Sequence, residues 1–319
     1  MPQKVIVITG PTATGKTTLG AMLAREIGGE VISADSMQIY KDMDIGTAKP
    51  KEAEMLGIPH HLLDVVSPFE DYSVARYVED AVKCIDDILS RGLHPIIVGG
   101  TGLYIESLIS GRDFADGHYN SELRADLSAQ YDELGGDNML LKLREFDPDS
   151  SRKLHSNDKK RIIRAFEVFL SGGKTISQHN LESQLVPCRY DACKIALSFE
   201  SRADLYRRID RRVDIMLGQG LEAEVQSLLD MGLTAKHTSM QAIGYKEMAQ
   251  ALSGECSISD AAEKIKLESR RYAKRQLSWL RRDTSIHWIF WDNEPDYDMG
   301  LHRSTQFLAQ NGYNIAASR

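Results

Sequence analysis

The run Gly10-Pro-Thr-Ala-Thr-Gly-Lys16-Thr17 fits the pattern G-x-x-x-x-G-K-[ST]. Before it, Val5-Ile6-Val7-Ile8 is a short β-branched run suited to a buried parallel strand. After it, Leu19, Met22, Leu23 and Ile27 recur at helical spacing. A strand that turns through glycines into a helix aims backbone N–H groups at one point, and the helix N-terminus adds partial positive charge. Gly10, Thr12, Ala13, Thr14 and Gly15 therefore read as an anion cradle. Lys16 would reach the terminal phosphate, and the Thr17 hydroxyl would help to hold Mg²⁺. Such a loop accepts a diphosphate or a triphosphate and does not say which.

Residues 30–33, Glu-Val-Ile-Ser, form a second strand that leads to Asp35. Three roles fit an aspartate there: an acid of the Mg²⁺ site, a general base beside the phosphate pocket, or a helix N-cap ahead of Ser36. Spacing alone does not separate them.

These residues need a frame. Pro95-Ile-Ile-Val98 is a third strand running into Gly99-Gly-Thr-Gly102, and Ser73 can cap a helix with Val74, Tyr77, Val78, Ala81, Ile85 and Ile88 inside. Strand–helix alternation implies an α/β core with a parallel sheet covered on both faces. From about residue 116 to 190 the pattern turns helical, then residues 194–199 return as a strand. Helical patterns fill 201–282, followed by a strand at 286–291 and an amphipathic helix at 299–310. The expected plan is a core of residues 1–115 and 191–319 around an all-helical insertion, 116–190.

The 319 residues carry 39 Lys+Arg against 46 Asp+Glu, a net charge of −7. Taken whole, that argues against a nucleic-acid partner. Along the chain it resolves into −12 over residues 1–150, +8 over 151–282 and −3 over 283–319. At 100° per residue, Lys264, Arg270, Arg271, Lys274, Arg275, Arg281 and Arg282 share one helix side, while Ile265, Tyr272, Ala273, Leu277, Trp279 and Leu280 share the other. Such a helix can pack on a core and offer its basic face to RNA. No run of about 18 apolar residues occurs, which argues against a membrane span. Four cysteines without CxxC or zinc-finger spacing, and a first strand in place of a signal peptide, point to reduced thiols in the cytoplasm.

Seven further words stand in order. They are Asp35-Ser-Met-Gln-Ile-Tyr40, Met43-Asp-Ile-Gly-Thr-Ala-Lys-Pro50, His60-His-Leu62, Gly99-Gly-Thr-Gly-Leu-Tyr104, Asn157-Asp158 with Arg161-Ile-Ile-Arg164, Ala242-Ile-Gly-Tyr-Lys-Glu247, and Ala273-Lys-Arg-Gln276 with Trp279-Leu-Arg281. Together with the phosphate loop the chain closely resembles the bacterial tRNA dimethylallyltransferases (tRNA isopentenyltransferases). Ser156 replaces a frequent proline and Leu280 a frequent phenylalanine; neither touches the chemistry.

The resemblance implies a P-loop NTPase-like core. It also implies transfer of a dimethylallyl group from dimethylallyl diphosphate to the exocyclic N6 amine of adenosine 37, 3′-adjacent to the anticodon, in tRNAs reading codons that begin with U. The phosphate loop would then grip a diphosphate leaving group. By position, Asp35 resembles the general base and Thr101 the residue that hydrogen-bonds near the same amine. Arg124, Arg208 and Arg212 resemble diphosphate ligands. Ser36, Met37 and Gln38 fall in the tRNA-contacting stretch, and Gln38 has the groups to read a base edge. The insertion would meet the anticodon stem-loop through Lys159, Lys160, Arg161 and Arg164. Mg²⁺ and a monomeric, cytoplasmic protein complete the expectation. Rival readings are a small-molecule P-loop kinase, an isopentenyltransferase acting on free adenylate, and a non-enzymatic RNA-binding P-loop protein.

Overall fold

The computed structural model describes residues 2–111 and 121–313. The chain divides into two compact units, Met1–Ile109 with Tyr190–Arg319, and Ser110–Arg189.

The first unit opens with β1 (Gln3–Thr9), α1 (Lys16–Ile27), β2 (Gly29–Ser33), α2 (Glu52–Met55), β3 (His60–His61), α3 (Val74–Ser90), β4 (His94–Val98) and α4 (Gly102–Ser110). The helical unit supplies α5 (Ser121–Leu134), α6 (Gly136–Phe146), α7 (Pro148–Lys153), α8 (Lys159–Gly172) and α9 (Ile176–Gln184). The chain then returns as β5 (Tyr190–Phe199), α10 (Arg202–Gly218), α11 (Leu221–Asp230), α12 (Tyr245–Leu252), α13 (Ile258–Leu280), β6 (His287–Trp291) and α14 (Tyr297–Gln310).

The six strands form one parallel sheet in the order β3-β2-β4-β1-β5-β6. Valine and isoleucine dominate β1, β2 and β4 because helices cover both faces, and Val5 to Ile8, Ile32, Ile96 and Ile97 are fully buried. β1 sits between β4 and β5, so the phosphate loop that leaves its C-terminal end lies over the middle of the sheet. Ser73 caps α3 as expected, its hydroxyl accepting from the Arg76 N–H at 3.2 Å. β3 was not legible as a strand: its two histidines pair only with Val31 and Ile32. β5 begins earlier than its apolar run, since Asp191 and Lys194 alternate with buried neighbours.

The helical unit has its own core of Leu127, Met139, Leu143, Ile162, Ile163, Ala165 and Phe166. All four cysteines are free thiols. Among the described residues no helix is long and apolar enough to cross a membrane.

Candidate active site

The loop from Gly10 to Thr17 is shaped by close approaches. Gly10, at φ 140°, presses on the backbone of Leu197 in β5, where any Cβ would collide with the carbonyl. Gly15, left-handed at φ 83°, caps α1, and a Cβ there would stand 2.7 Å from the Tyr297 hydroxyl. Ala13 also takes a left-handed conformation, φ 66°. The Trp291 indole donates to the Thr14 carbonyl at 2.9 Å, and the Thr14 hydroxyl donates to the Pro11 carbonyl at 2.8 Å. Lys16 Nζ folds back onto that same Pro11 carbonyl at 2.7 Å. Burial first and the Arg212 guanidinium second lower the Lys16 ammonium to about 7, with Asp35 opposing both.

Arg208 and Arg212 are brought to this loop by α10. Arg208 Nε donates to the Ala13 carbonyl at 3.2 Å, and its Nη1 pairs with Glu294. Arg212 donates to the Thr47 carbonyl at 3.4 Å, and its guanidinium is pushed below the usual arginine range, chiefly by burial. A cleft of about 860 Å³ is lined by residues 13–18 with Arg208, Arg211 and Arg212. Its lining holds six Lys and Arg side chains against four carboxylates, and with the loop amides beside Lys16, Arg208 and Arg212 this makes an anion site.

Asp35 follows β2. Its Oδ1 accepts from the Met37 N–H at 2.9 Å and the Gln38 N–H at 3.4 Å, a capping geometry over the next turn. Its Oδ2 has no hydrogen-bond partner among the described residues. Thr101, after β4, donates its N–H to the Ala34 carbonyl at 3.1 Å, and its Oγ1 accepts from the Ser36 N–H at 3.1 Å. The two strand ends thus hold Asp35 and Thr101 side by side. Tyr272 of α13 lies against the pair, its hydroxyl pushed up to about 12 by burial and by the Asp35 charge.

A second cavity of about 320 Å³ is lined by Thr12, Asp35, Ser36, Met37, Tyr272 and Arg275, among others. Arg212 and Met216 line both cavities. The anion cleft and the Asp35 cavity are therefore two sides of one wall.

Several expected residues are held by other side chains or carbonyls. The Gln38 amide donates to the carbonyls of Thr47 (3.3 Å) and Ala48 (3.2 Å) and accepts from Ser33, so it braces a loop and has little capacity left for a base edge. Arg124 lies on α5 of the helical unit and forks onto Glu167 of α8 at 2.7 and 2.8 Å. Arg270 pairs with Asp210 of α10 at 2.5 Å and is half-buried, so it ties two helices together. Arg271, Lys274, Arg275, Arg281 and Arg282 are exposed, while Ala273, Leu277 and Leu280 are buried, the amphipathic split expected of α13. Arg271, Lys274, Arg275 and Arg282 line an open groove with Ser278 and Trp279. In the helical unit Lys159 pairs with Asp132 at 2.6 Å and Arg164 lies 3.6 Å from Glu167, whereas Lys160 and Arg161 are exposed.

Two side chains had no assigned role from sequence. Gln276 of α13 accepts from the Thr12 N–H at 3.0 Å and donates to the Gly100 carbonyl at 2.9 Å, strapping the phosphate loop to the Gly99–Gly102 turn. A glutamine on the buried side of an amphipathic helix was the available signal. Glu224 of α11 accepts three successive backbone N–H groups from Asp44, Ile45 and Gly46, and nothing in its own neighbourhood in sequence announces that.

The parallel sheet, the glycine-rich loop at its centre and the cationic cleft define a P-loop-like α/β protein with an anion site beside that loop. The Asp35–Thr101 pair stands beside it, at the ends of the neighbouring strands β2 and β4. The family model described as IPP transferase matches residues 38–283, and the one described as isopentenyl transferase matches residues 3–67. The chain belongs to the IPP transferase family.

It is 48% identical over 294 residues to the tRNA dimethylallyltransferase of Acetivibrio thermocellus, covering 92% of this chain and 93% of that one. The protein of the same name from Caldanaerobacter subterraneus subsp. tengcongensis is 46% identical over 310 residues, covering 97% and 98%. Among solved structures, the tRNA isopentenylpyrophosphate transferase of Bacillus halodurans superposes with a TM-score of 0.73 at 39% identity, over 97% and 96% of the two chains. A eukaryotic dimethylallyltransferase described as acting on tRNA superposes with a TM-score of 0.82 at 30% identity, over 99% of this chain and 82% of that one.

Proposed function

We infer that this chain transfers the dimethylallyl group of dimethylallyl diphosphate to the N6 amine of adenosine 37 in tRNAs reading codons that begin with U. It is a prenyltransferase by family, and its relatives carry the name of the tRNA reaction. The observation that carries the residue assignment is the shared wall. An anion cleft on one side and the Asp35 cavity on the other meet at Arg212 and Met216, and Thr101 adjoins the second through its bond to the Ser36 N–H.

The diphosphate sits on the loop amides, Lys16, Arg208 and Arg212. Its allylic carbon points through the wall to the adenosine amine. The amine nitrogen bonds to that carbon as the carbon–oxygen bond breaks, and the electron pair leaves with the diphosphate. Asp35 Oδ2 takes the amine proton, while Oδ1 stays anchored on backbone amides so that the carboxylate does not turn away. Thr101 orients the amine from the other side. Charge builds on the departing oxygen, where preorganised donors act most strongly.

Mg²⁺ suits this arrangement in one form. Among the described residues no group of three His, Cys, Asp or Glu side chains gathers as a cage. The Thr17 hydroxyl with diphosphate oxygens and waters matches the way Mg²⁺ is commonly held on phosphates. The ion would neutralise the leaving group.

The adenosine amine is inaccessible in a stacked base, so the base is flipped into the Asp35 cavity. Lys160 and Arg161 of the helical unit and the exposed cations of α13 contact tRNA phosphates. The same reading takes the protein as a cytoplasmic monomer. Asp35→Ala should lower kcat about 10³-fold while a filter-binding Kd for tRNA stays within about twofold. Transfer at more than about a tenth of the wild-type rate would remove Asp35 as the base.

A further inference from the structure

We propose that Glu224, backed by Tyr245, is a positioning residue for the transfer: it pins the loop that divides the two cavities and thereby sets Arg212. The inference rests on the reaction assigned above.

Residues 43–50 form that dividing loop. Asp44, Ile45, Ala48 and Lys49 line the anion cleft, whereas Gly46 and Thr47 line the Asp35 cavity. The loop has little secondary structure of its own. It is closed by short contacts: Thr47 Oγ1 to the Met43 carbonyl at 2.7 Å, Ala48 N–H to Ile45 at 3.0 Å and Lys49 N–H to Asp44 at 2.9 Å. Ala48 sits at φ 46°, a left-handed position for a residue with a Cβ. A loop of this kind holds its shape through what grips it from outside.

The grip comes from a distant part of the chain. Glu224 Oε2 accepts the N–H of Asp44 at 2.9 Å and of Ile45 at 2.7 Å. Its Oε1 accepts the Gly46 N–H at 3.1 Å and the Tyr245 hydroxyl at 2.5 Å. Three successive amides on one carboxylate form a nest, with charge-assisted bonds stronger than neutral ones. Tyr245 is fully buried, and Gly46 lies so close over its ring that a Cβ would collide with it. The loop is therefore gripped by its amides and pressed onto an aromatic plate.

The consequence reaches the substrate through Thr47. Its carbonyl accepts from Arg212 at 3.4 Å and from Gln38 at 3.3 Å. Arg212 is half-buried and faces both the diphosphate cleft and the Asp35 cavity, with the Thr47 carbonyl as its hydrogen-bond acceptor. Releasing the nest frees the carbonyl that orients Arg212. Misplacement of about 1 Å in a positioning group can weaken a reaction about 10²-fold. Neither Glu224 nor Tyr245 lines either cavity, so they act through the loop and not on the substrate.

The test uses the full chain with Tyr245→Phe, Glu224→Gln and Glu224→Ala. Tyr245→Phe keeps the ring under Gly46 and removes one bond. Glu224→Gln keeps one acceptor oxygen at the same length, and Glu224→Ala removes all four bonds. The KM for dimethylallyl diphosphate at saturating tRNA, and the Kd for inorganic diphosphate by calorimetry, should rise in that order. The expected increases are about threefold, about tenfold and about thirtyfold or more. The tRNA Kd should stay within about twofold in all three. If Glu224→Ala does not fold, the first two variants still set the order. Unchanged diphosphate Kd and KM in folded Glu224→Gln overturn the proposal, as does a tRNA Kd that weakens in step with the diphosphate Kd. A wild-type protein that transfers nothing would instead defeat the functional reading, and the diphosphate Kd series would still test the loop.

Discussion

Lys16→Met, made in the ligand-free protein, separates what the anion site does for binding from what it does to stability. The Lys16 ammonium is held at about 7 against an ordinary 10.5, first by burial and then by Arg212, with Asp35 opposing. Each pK unit is about 1.4 kcal/mol, so at pH 6 a charged Lys16 destabilises the fold by up to about 5 kcal/mol. Between about pH 7 and 10.5 the unfolded chain holds this proton and the folded chain does not. Stability therefore rises with pH across that window, and by pH 9 the penalty has dropped to about 2 kcal/mol. Lys16 lines an open cleft, and solvent there screens part of this, leaving a change on the order of 1 kcal/mol. Urea unfolding at pH 6 and pH 9 is the assay. The wild type should gain about 1 kcal/mol relative to Lys16→Met on going to pH 9, and the variant should be the more stable at pH 6. Diphosphate binding to the wild type above pH 7 should take up a proton, visible as a buffer-dependent calorimetric enthalpy. Parallel pH profiles for the two proteins, with no proton uptake, would refute the argument.

Three other outcomes follow from the contacts. Arg271→Glu with Arg275→Glu should weaken tRNA binding at least tenfold and flatten its salt dependence by about two released counterions, with diphosphate affinity unchanged. Gln276→Ala leaves the Thr12 N–H and the Gly100 carbonyl without their strap. It should lower kcat/KM for dimethylallyl diphosphate about tenfold, and Gln276→Glu, whose carboxylate cannot donate to the Gly100 carbonyl and adds negative charge beside the anion loop, should lose at least as much. Arg124→Ala leaves the buried Glu167 carboxylate with only Arg164, 3.6 Å away, so hydrogen exchange of α5 and α8 amides should speed up about 30-fold, equivalent to about 2 kcal/mol.

The phosphate loop and the strands around it were readable because their signals are local. A β-branched run, two glycines and a lysine fall within thirteen residues, and the structure needs each of them where it stands. The two faces of α13 were readable for the same reason, since helical periodicity sorts Arg271 from Leu277 without any knowledge of the fold. Arg270 escaped that logic: the helical wheel puts it with the basic face, but Asp210 of α10 claims it. Gln38 likewise has the right chemistry for base recognition, and only the folded chain shows the Thr47 and Ala48 carbonyls that occupy it. Glu224 is the clearest case of what pattern cannot carry. It sits 178 to 180 positions from its partners, and backbone N–H groups leave no trace in residue identity.

The central claim is tested most directly by incubating the protein with dimethylallyl diphosphate and Mg²⁺ and either an anticodon stem-loop bearing adenosine 37 or free adenosine monophosphate. Mass spectrometry of the digested products then locates any added dimethylallyl unit. The account predicts one unit on N6 of adenosine 37 in the stem-loop, none on the mononucleotide, and transfer to the stem-loop about 10³-fold slower with Asp35→Ala. A unit found only on the mononucleotide, or on the stem-loop at an unchanged rate without Asp35, would contradict it.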